Sequence, residues 1–270
     1  MADLRPLVSV DWLAANVNAV TLIDCTWSIN DADAASLPTG FIPNALEFDL
    51  SAVKALPLKA QTEGVIAAQL SRLGVTERET IVIYDRHGLF SAPRLWWLLK
   101  TLGHADVFVL NGGLPAWVAA GHSVLDTPAA RSEAIYTETT SLLCGSDFDD
   151  VIKSVDTTAQ IVDARAPGRF AGTEPEPRAG LRSGRIPGAL NLPFGALRED
   201  GKLKSETQLA QAVKSAGIDL NRPIITSCGS GVTAAGLALV FYALGKTDIS
   251  VYTGSWAEYG ASDAPIEVGQ

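Results

Sequence analysis

The stretch "IITSCGSGVTAAG", Ile224 to Gly236, ends an apolar, β-branched run on one cysteine and follows it with glycines and small hydroxyl residues. Cys228 falls after a strand pattern and before a helix pattern that opens near Val232 or Thr233. In α/β sheets, ligands bind beyond the carboxyl ends of the strands. Gly229, Ser230 and Gly231 let backbone N–H groups converge, and such a nest, backed by a helix dipole, stabilises an anion. A free cysteine has a pKa of about 8.5, and a helix N-terminus can bring it to ~3.5–7.5. Cys228 is therefore expected to be a nucleophile held as thiolate, with Gly229 to Thr233 as its cradle. The competing reading is a buried cysteine that only packs. Six residues beyond Cys228, where a cysteine phosphatase needs an arginine to clamp phosphate, stands Ala234, and no CxxC pair exists for dithiol exchange. Cys25 and Cys144 have no glycine-rich loop leading into a helix pattern, so they are expected to be inert thiols.

A second group of reactive side chains lies upstream. "RAPGRFAGTEPEPRAGLRSGR" carries Arg165, Arg169, Arg178, Arg182 and Arg185. Arginine forks bind carboxylates bidentately, so this loop could hold an anionic substrate. The alternative is a solvated loop whose arginines pair with Glu174 and Glu176, since exposed ion pairs are common and weak.

The elements that must position these groups occur twice. "TLIDCTW" from Thr21 is echoed by "QIVDARA" from Gln160, and "GFIPNA" from Gly40 by "GRIPGA" from Gly184. "TIVIYDRHG" from Thr80 is echoed by "PIITSCGSG" from Pro223, and "DVFVLNGGLPAW" from Asp106 by "DISVYTGSWAEY" from Asp248. The offsets run only from 139 to 144 residues, which indicates a tandem duplication. Strand-like runs alternate with helix-like segments over 64–74, 91–103, 205–217 and 231–245, each closed by glycine. That alternation predicts two α/β domains, each a parallel sheet flanked by helices on both faces. The polar stretch 131–148 is the expected linker between a domain over 1–130 and one over 149–270. Where the second copy has Cys228 the first has Asp85, so the first copy is expected to be catalytically silent. Trp96, Trp97, Trp117 and Trp256 sit in or beside apolar segments and are expected to fill cores or the domain interface.

The 270 residues carry a net charge of −9, which argues against nucleic acid or an anionic membrane as the main partner. Three cysteines form no even framework and no metal-ligand spacing, a pattern that fits a reducing compartment. With neither signal-peptide order at the start nor an 18-residue apolar stretch, a cytoplasmic location is the expectation.

On "GRFAGTEPEPRAG", "IPGALNLPF" and "CGSGVTA", the chain resembles the tandem-domain sulfurtransferases of the rhodanese superfamily, and within them the 3-mercaptopyruvate sulfurtransferases. The resemblance covers nearly the whole length. It implies that Cys228 forms a persulfide, that Arg169 and Arg178 hold the substrate's carboxylate and keto oxygen, and that Ser230 assists proton transfer. It also implies that the amides of Gly229, Gly231, Val232 and Thr233 cradle sulfur, with no cofactor or metal. The implied partners are a small anionic sulfur donor, 3-mercaptopyruvate or thiosulfate, and a thiol, thioredoxin or cyanide acceptor. Thiosulfate-preferring relatives carry basic residues directly after the cysteine, and Gly229 and Ser230 therefore favour mercaptopyruvate. The chain departs from the family where a G-H-I-P-G-A histidine is usual, having Phe41 and Arg185 instead. His87, His104 and His122 lie in the silent copy and are expected to serve structure. Thiosulfate:cyanide sulfurtransferase, a non-catalytic sulfur carrier and a peroxide-sensing thiol are the rival readings.

Overall fold

The structure, a computed structural model, describes residues 6–54, 64–155 and 157–269. It divides into two compact units, Met1–Leu142 with Glu199–Leu203, and Leu143–Arg198 with Lys204–Gln270.

In the first unit, β1 (Leu7–Val8), α1 (Val10–Asn16), β2 (Thr21–Asp24), α2 (Asp31–Ala35), β3 (Ala45–Glu47) and α3 (Leu50–Lys54) come first. Then follow α4 (Ile66–Arg72), β4 (Ile81–Tyr84), α5 (Ala92–Thr101), β5 (Val107–Leu110) and α6 (Gly113–Ala119). The sheet order is β1-β5-β4-β2-β3, all parallel. Strands β2 and β4 are buried at every residue, as continuous apolar runs covered on both faces must be.

The second unit repeats the plan. Its elements are β6 (Cys144–Ser146), α7 (Phe148–Ser154), β7 (Gln160–Asp163), α8 (Pro167–Ala171), β8 (Leu190–Asn191), a 3-10 turn (Phe194–Leu197) and the short β9 (Arg198–Glu199), which leads across to the first unit. After β10 (Lys202–Leu203) come α9 (Glu206–Ser215), β11 (Ile224–Ser227), α10 (Val232–Ala243), β12 (Ile249–Tyr252) and α11 (Ser255–Tyr259). The order β6-β12-β11-β7-β8 is again wholly parallel and matches the first sheet strand for strand. The two-domain α/β architecture expected from the internal repeat is thus borne out. Trp96, Trp97, Trp117 and Trp256 are all buried.

Residues 131–148, the expected linker, have defined places. Ala134 N–H donates to Ser71 O at 2.9 Å and Thr139 N–H to Leu102 O at 2.9 Å, so this part lies along the first unit. Cys144–Ser146 pairs in register with Ser250–Tyr252 as the edge strand of the second sheet. Polar sequence concealed both roles, because an edge strand of three residues carries almost no apolar signal. In the opposite direction, Glu199–Leu203 belongs to the first unit, where Leu203 N–H donates to Asn111 Oδ1 at 2.9 Å.

Helix α10 explains why the cysteine loop is rigidly backed. Nine of its residues, Val232 and Ala234 to Phe241, are buried, so it is held by packing nearly all round. Gly236 within it is required for contact, since a Cβ there would stand 2.6 Å from Phe194 Cζ. No helix among the described residues is long and apolar enough to cross a membrane.

Candidate active site

Strand β11 delivers Cys228 to the carboxyl edge of the second sheet, and Gly231, with φ of +78°, turns the chain into α10. That left-handed φ is cheap only for glycine. The turn aims the Gly231 N–H back at the sulfur, 3.1 Å from Cys228 Sγ. The thiol is 2% exposed. Val232 is buried and Thr233 half-buried in the first turn of α10; of the expected cradle residues Gly229 to Thr233, it is Gly231 whose amide meets the sulfur. The partial positive charge of that start favours an anion there.

Ser255, outside the residues that the cysteine motif singles out, braces the cysteine from the next strand's end. It is fully buried with φ of +51°, a conformation that costs a non-glycine residue roughly 1–3 kcal/mol. Its Oγ accepts the Cys228 N–H at 3.1 Å, donates to Tyr252 O at 2.8 Å and stands 3.8 Å from Sγ. The first unit has Gly113 at the matching place, with φ of +53°. The backbone contact is also the same: Leu114 N–H donates to Asp85 O at 3.0 Å, and Trp256 N–H to Cys228 O at 2.9 Å. The signal was therefore present in the repeat, as a serine where the other copy has glycine.

The arginines of the 165–185 segment divide. Arg165 is buried, ion-paired with Asp163 at 2.7 Å and Glu176 at 2.8 Å, and stacked over Trp256 at 4.3 Å. Burial alone would favour its neutral form, but the Asp163 and Glu176 carboxylates outweigh that and push its pKa up. Arg169 is half-exposed, donates through Nε and Nη2 to Glu176, and lies against Gly229. Its Nη1 makes no hydrogen bond among the described residues. Arg178 is exposed in the same loop and has no ion pair among the described residues. Arg182 caps the carbonyls of Gly260 and Tyr259, and Arg185 pairs with Glu267 over the Phe170 ring. Arg165, Arg182 and Arg185 are thus occupied within the fold. Arg169 keeps a donor and Arg178 its whole guanidinium.

Ser230 is half-buried and its hydroxyl makes no hydrogen bond among the described residues. Arg185 forms an antiparallel bridge to Glu267, as Phe41 does to Leu125, so both residues that replace the family histidine sit at equivalent bridge positions. Among the described residues no cluster of three His, Cys, Asp or Glu is placed to hold a metal ion. The other two thiols differ: Cys25 is buried, with burial and the nearby Asp85 and Asp24 pushing its pKa up, while Cys144 is exposed.

Residues 9–120 and 147–262 each match the family described as the rhodanese-like domain. A mitochondrial thiosulfate/3-mercaptopyruvate sulfurtransferase of Arabidopsis thaliana is 38% identical, over 97% of this chain and 78% of that protein. The thiosulfate sulfurtransferase of Bos taurus is 37% identical, over 94% of this chain and 92% of that one. The crystal structure of SseA from Escherichia coli, described as a 3-mercaptopyruvate sulfotransferase, superposes with a TM-score of 0.79 at 32% identity. That superposition covers 93% of this chain and 98% of the other.

Proposed function

Because the chain belongs to the rhodanese family, with one such domain in each half, we propose that it is a sulfurtransferase using 3-mercaptopyruvate as donor. The observation that carries this reading is the Gly231 N–H at 3.1 Å from Cys228 Sγ, at the start of a buried helix. A thiol at the start of a helix, met by a backbone amide, is the setting in which a cysteine serves as a nucleophile.

In the proposed reaction the Cys228 thiolate attacks the sulfur of bound mercaptopyruvate. The S–S bond forms as the donor's C–S bond breaks, and that electron pair leaves on carbon as the enolate of pyruvate. Arg178 and the open side of Arg169 hold the carboxylate and keto oxygen, stabilising charge that grows as the bond breaks. Ser230 passes a proton to the enolate carbon. The outer sulfur of the resulting persulfide rests among the amides of Gly229 to Thr233. A thiol, a reduced thioredoxin or cyanide then attacks that sulfur, and the Cys228 thiolate departs. No metal or organic cofactor takes part, and a reducing compartment such as the cytoplasm keeps the three thiols free.

Thiosulfate is the second reading, favoured by the bovine relative's name. Against it stands the loop itself, since Gly229 and Ser230 offer no positive charge to a dianionic sulfonate. Steady-state kinetics with both donors, cyanide as acceptor, separates the two. A kcat/KM for mercaptopyruvate at least tenfold above that for thiosulfate is expected; the reverse order refutes the donor assignment.

A further inference from the structure

The first unit has a crevice of its own at the carboxyl end of its sheet. In the order β1-β5-β4-β2-β3 the chain leaves β2 toward one edge and β4 toward the other, so the loops after these two strands part. Open α/β sheets take ligands at such switch points. A cavity of about 510 Å³ lies there, within the ~300–1,000 Å³ usual for small-molecule sites. Thr26 and Ser28 after β2, Arg86 after β4, and Glu47 and Asp49 at the end of β3 line it, and every described residue of its wall belongs to the first unit. Trp27, between Thr26 and Ser28, is not part of that wall; its ring stacks on Phe90 at 5.9 Å.

The charges of the cavity are arranged in a row. Arg86 reaches across to β2, where its Nε donates to Asp24 Oδ2 at 2.9 Å and its face covers the Phe41 ring at 4.5 Å. Nη1 and Nη2 make no hydrogen bond among the described residues, which leaves that edge of the fork for an anion. One strand further, Glu47 is the register partner of Asp24, on the same face and about 4.8 Å away from strand to strand. It is exposed, with no hydrogen bond or ion pair among the described residues. Asp49 Oδ1 accepts the Ser51 N–H at 2.9 Å, and its other oxygen is open. Asp24 balances Arg86, so the two open carboxylates make the cavity acidic. Among the described residues no three acidic groups converge to hold a metal ion, and an ammonium group suits the pair.

The second unit shows the same crevice closed. Arg165 stands at the place of Thr26 and uses Nε on Asp163, Nη1 on Glu176 and Nη2 on Gly184 O. Asn191 stands at the place of Glu47, and its Nδ2 donates to the carbonyls of Asp163 at 2.9 Å and Arg165 at 3.0 Å. The groups that satisfy one another in the second copy are replaced in the first by groups left open.

We propose that the first unit binds a free α-amino acid with an apolar side chain. Its carboxylate takes the Nη1 and Nη2 edge of Arg86, its ammonium meets Glu47 and the open oxygen of Asp49, and its side chain lies toward Leu37, Pro38 and Phe48. An α-amino acid carries both charges on one carbon, which matches a guanidinium over β2 and a carboxylate on β3. A plain carboxylate would face two like charges, and a plain amine would leave the arginine fork unused. The site lies in the copy without the cysteine and does not depend on the sulfur-transfer reading.

The test is isothermal titration of the whole protein with L-leucine, L-leucinamide and 4-methylpentanoate, which share one side chain and differ in charge. One L-leucine per chain is expected, with the amide and the acid each at least about tenfold weaker for the loss of a charge-assisted contact. Arg86→Lys, which keeps the charge and loses the fork, and Glu47→Gln should each weaken L-leucine about tenfold, while Cys228→Ser leaves it unchanged. Glu47→Gln decides the matter should Arg86→Lys fold poorly, since that exposed side chain has no bond to lose. No binding of L-leucine at millimolar concentration overturns the proposal. So does equal binding of either analogue, or binding that survives Glu47→Gln and is lost in Cys228→Ser.

Discussion

Asp85 in the first unit and Cys228 in the second follow the same strand of two sheets with the same order, and each side chain accepts a backbone amide of the loop beyond it, a ring of them at Asp85 and that of Gly231 at Cys228 Sγ. Around Asp85 the ring is full. Oδ2 accepts from Phe90 at 2.7 Å and from Ser91 and Ala92 at 2.8 Å, and Oδ1 from His87 at 3.0 Å. The fold thus demonstrates on itself that this loop is built for negative charge.

Removing the carboxylate should therefore unfold the first unit more easily. Asp85→Ala leaves four buried or half-buried amides without their acceptor, at roughly 1–3 kcal/mol for each that water cannot reach. A loss of about 3 kcal/mol or more in urea unfolding is expected, against a smaller loss for Asp85→Asn, which keeps one oxygen. Equal stability of Asp85→Ala and wild type would show that the ring needs no anion.

Ser255→Ala should separate cradle from strain. The left-handed backbone remains, but the Cys228 N–H loses its acceptor and the sulfur its neighbouring hydroxyl. Stability should fall by about 1–3 kcal/mol and kcat by tenfold or more. An unchanged kcat would reduce Ser255 to a turn residue.

Arg178→Ala should leave the melting temperature alone, since the side chain is exposed and unpaired among the described residues. In the proposed site it should raise KM for mercaptopyruvate about tenfold and lower kcat by less, as expected when a carboxylate clamp binds and orients. Wild-type kinetics in this variant would assign the carboxylate to Arg169 alone.

The strands and long helices were readable because a buried parallel sheet demands unbroken apolar runs, and the repeat supplied each one twice. "TIVIY" and "PIITS" could be little else. Short elements were not readable: β1 has two residues and β6 three, and polar residues 131–142 are fixed by hydrogen bonds that leave no period in the sequence. At the site, the glycines announced the cysteine turn. Ser255 lay 27 residues from Cys228 and gained meaning only when β12 ran beside β11. The pairing of Glu176 with both Arg165 and Arg169 was one of two open readings of an arginine-rich loop, and spacing gave no way to choose.

Acid should weaken the first unit through His104. The ring is buried, with Nδ1 beside the Tyr136 hydroxyl at 2.9 Å and Nε2 beside Glu79 O at 2.8 Å. Burial, and secondarily the nearby Lys100, hold its pKa below the ordinary value, while Glu79 O, Asp106 and the Glu79 carboxylate oppose this. The unfolded chain then binds more protons than the native one below about pH 6.5, so this contribution is present above that pH and fades as pH falls. Melting temperature should drop as pH falls below about 6.5, and less so in His104→Gln. Identical pH profiles for the two proteins would remove His104 from the account.

The most direct test is the intact mass of the protein after brief exposure to 3-mercaptopyruvate without acceptor, with peptide mapping of the adduct. One added sulfur atom on Cys228, absent in Cys228→Ser and discharged by cyanide, is the expected result. A protein that gains no sulfur, or gains it on Cys25 or Cys144, would contradict the assignment of the thiol facing the Gly231 amide as nucleophile.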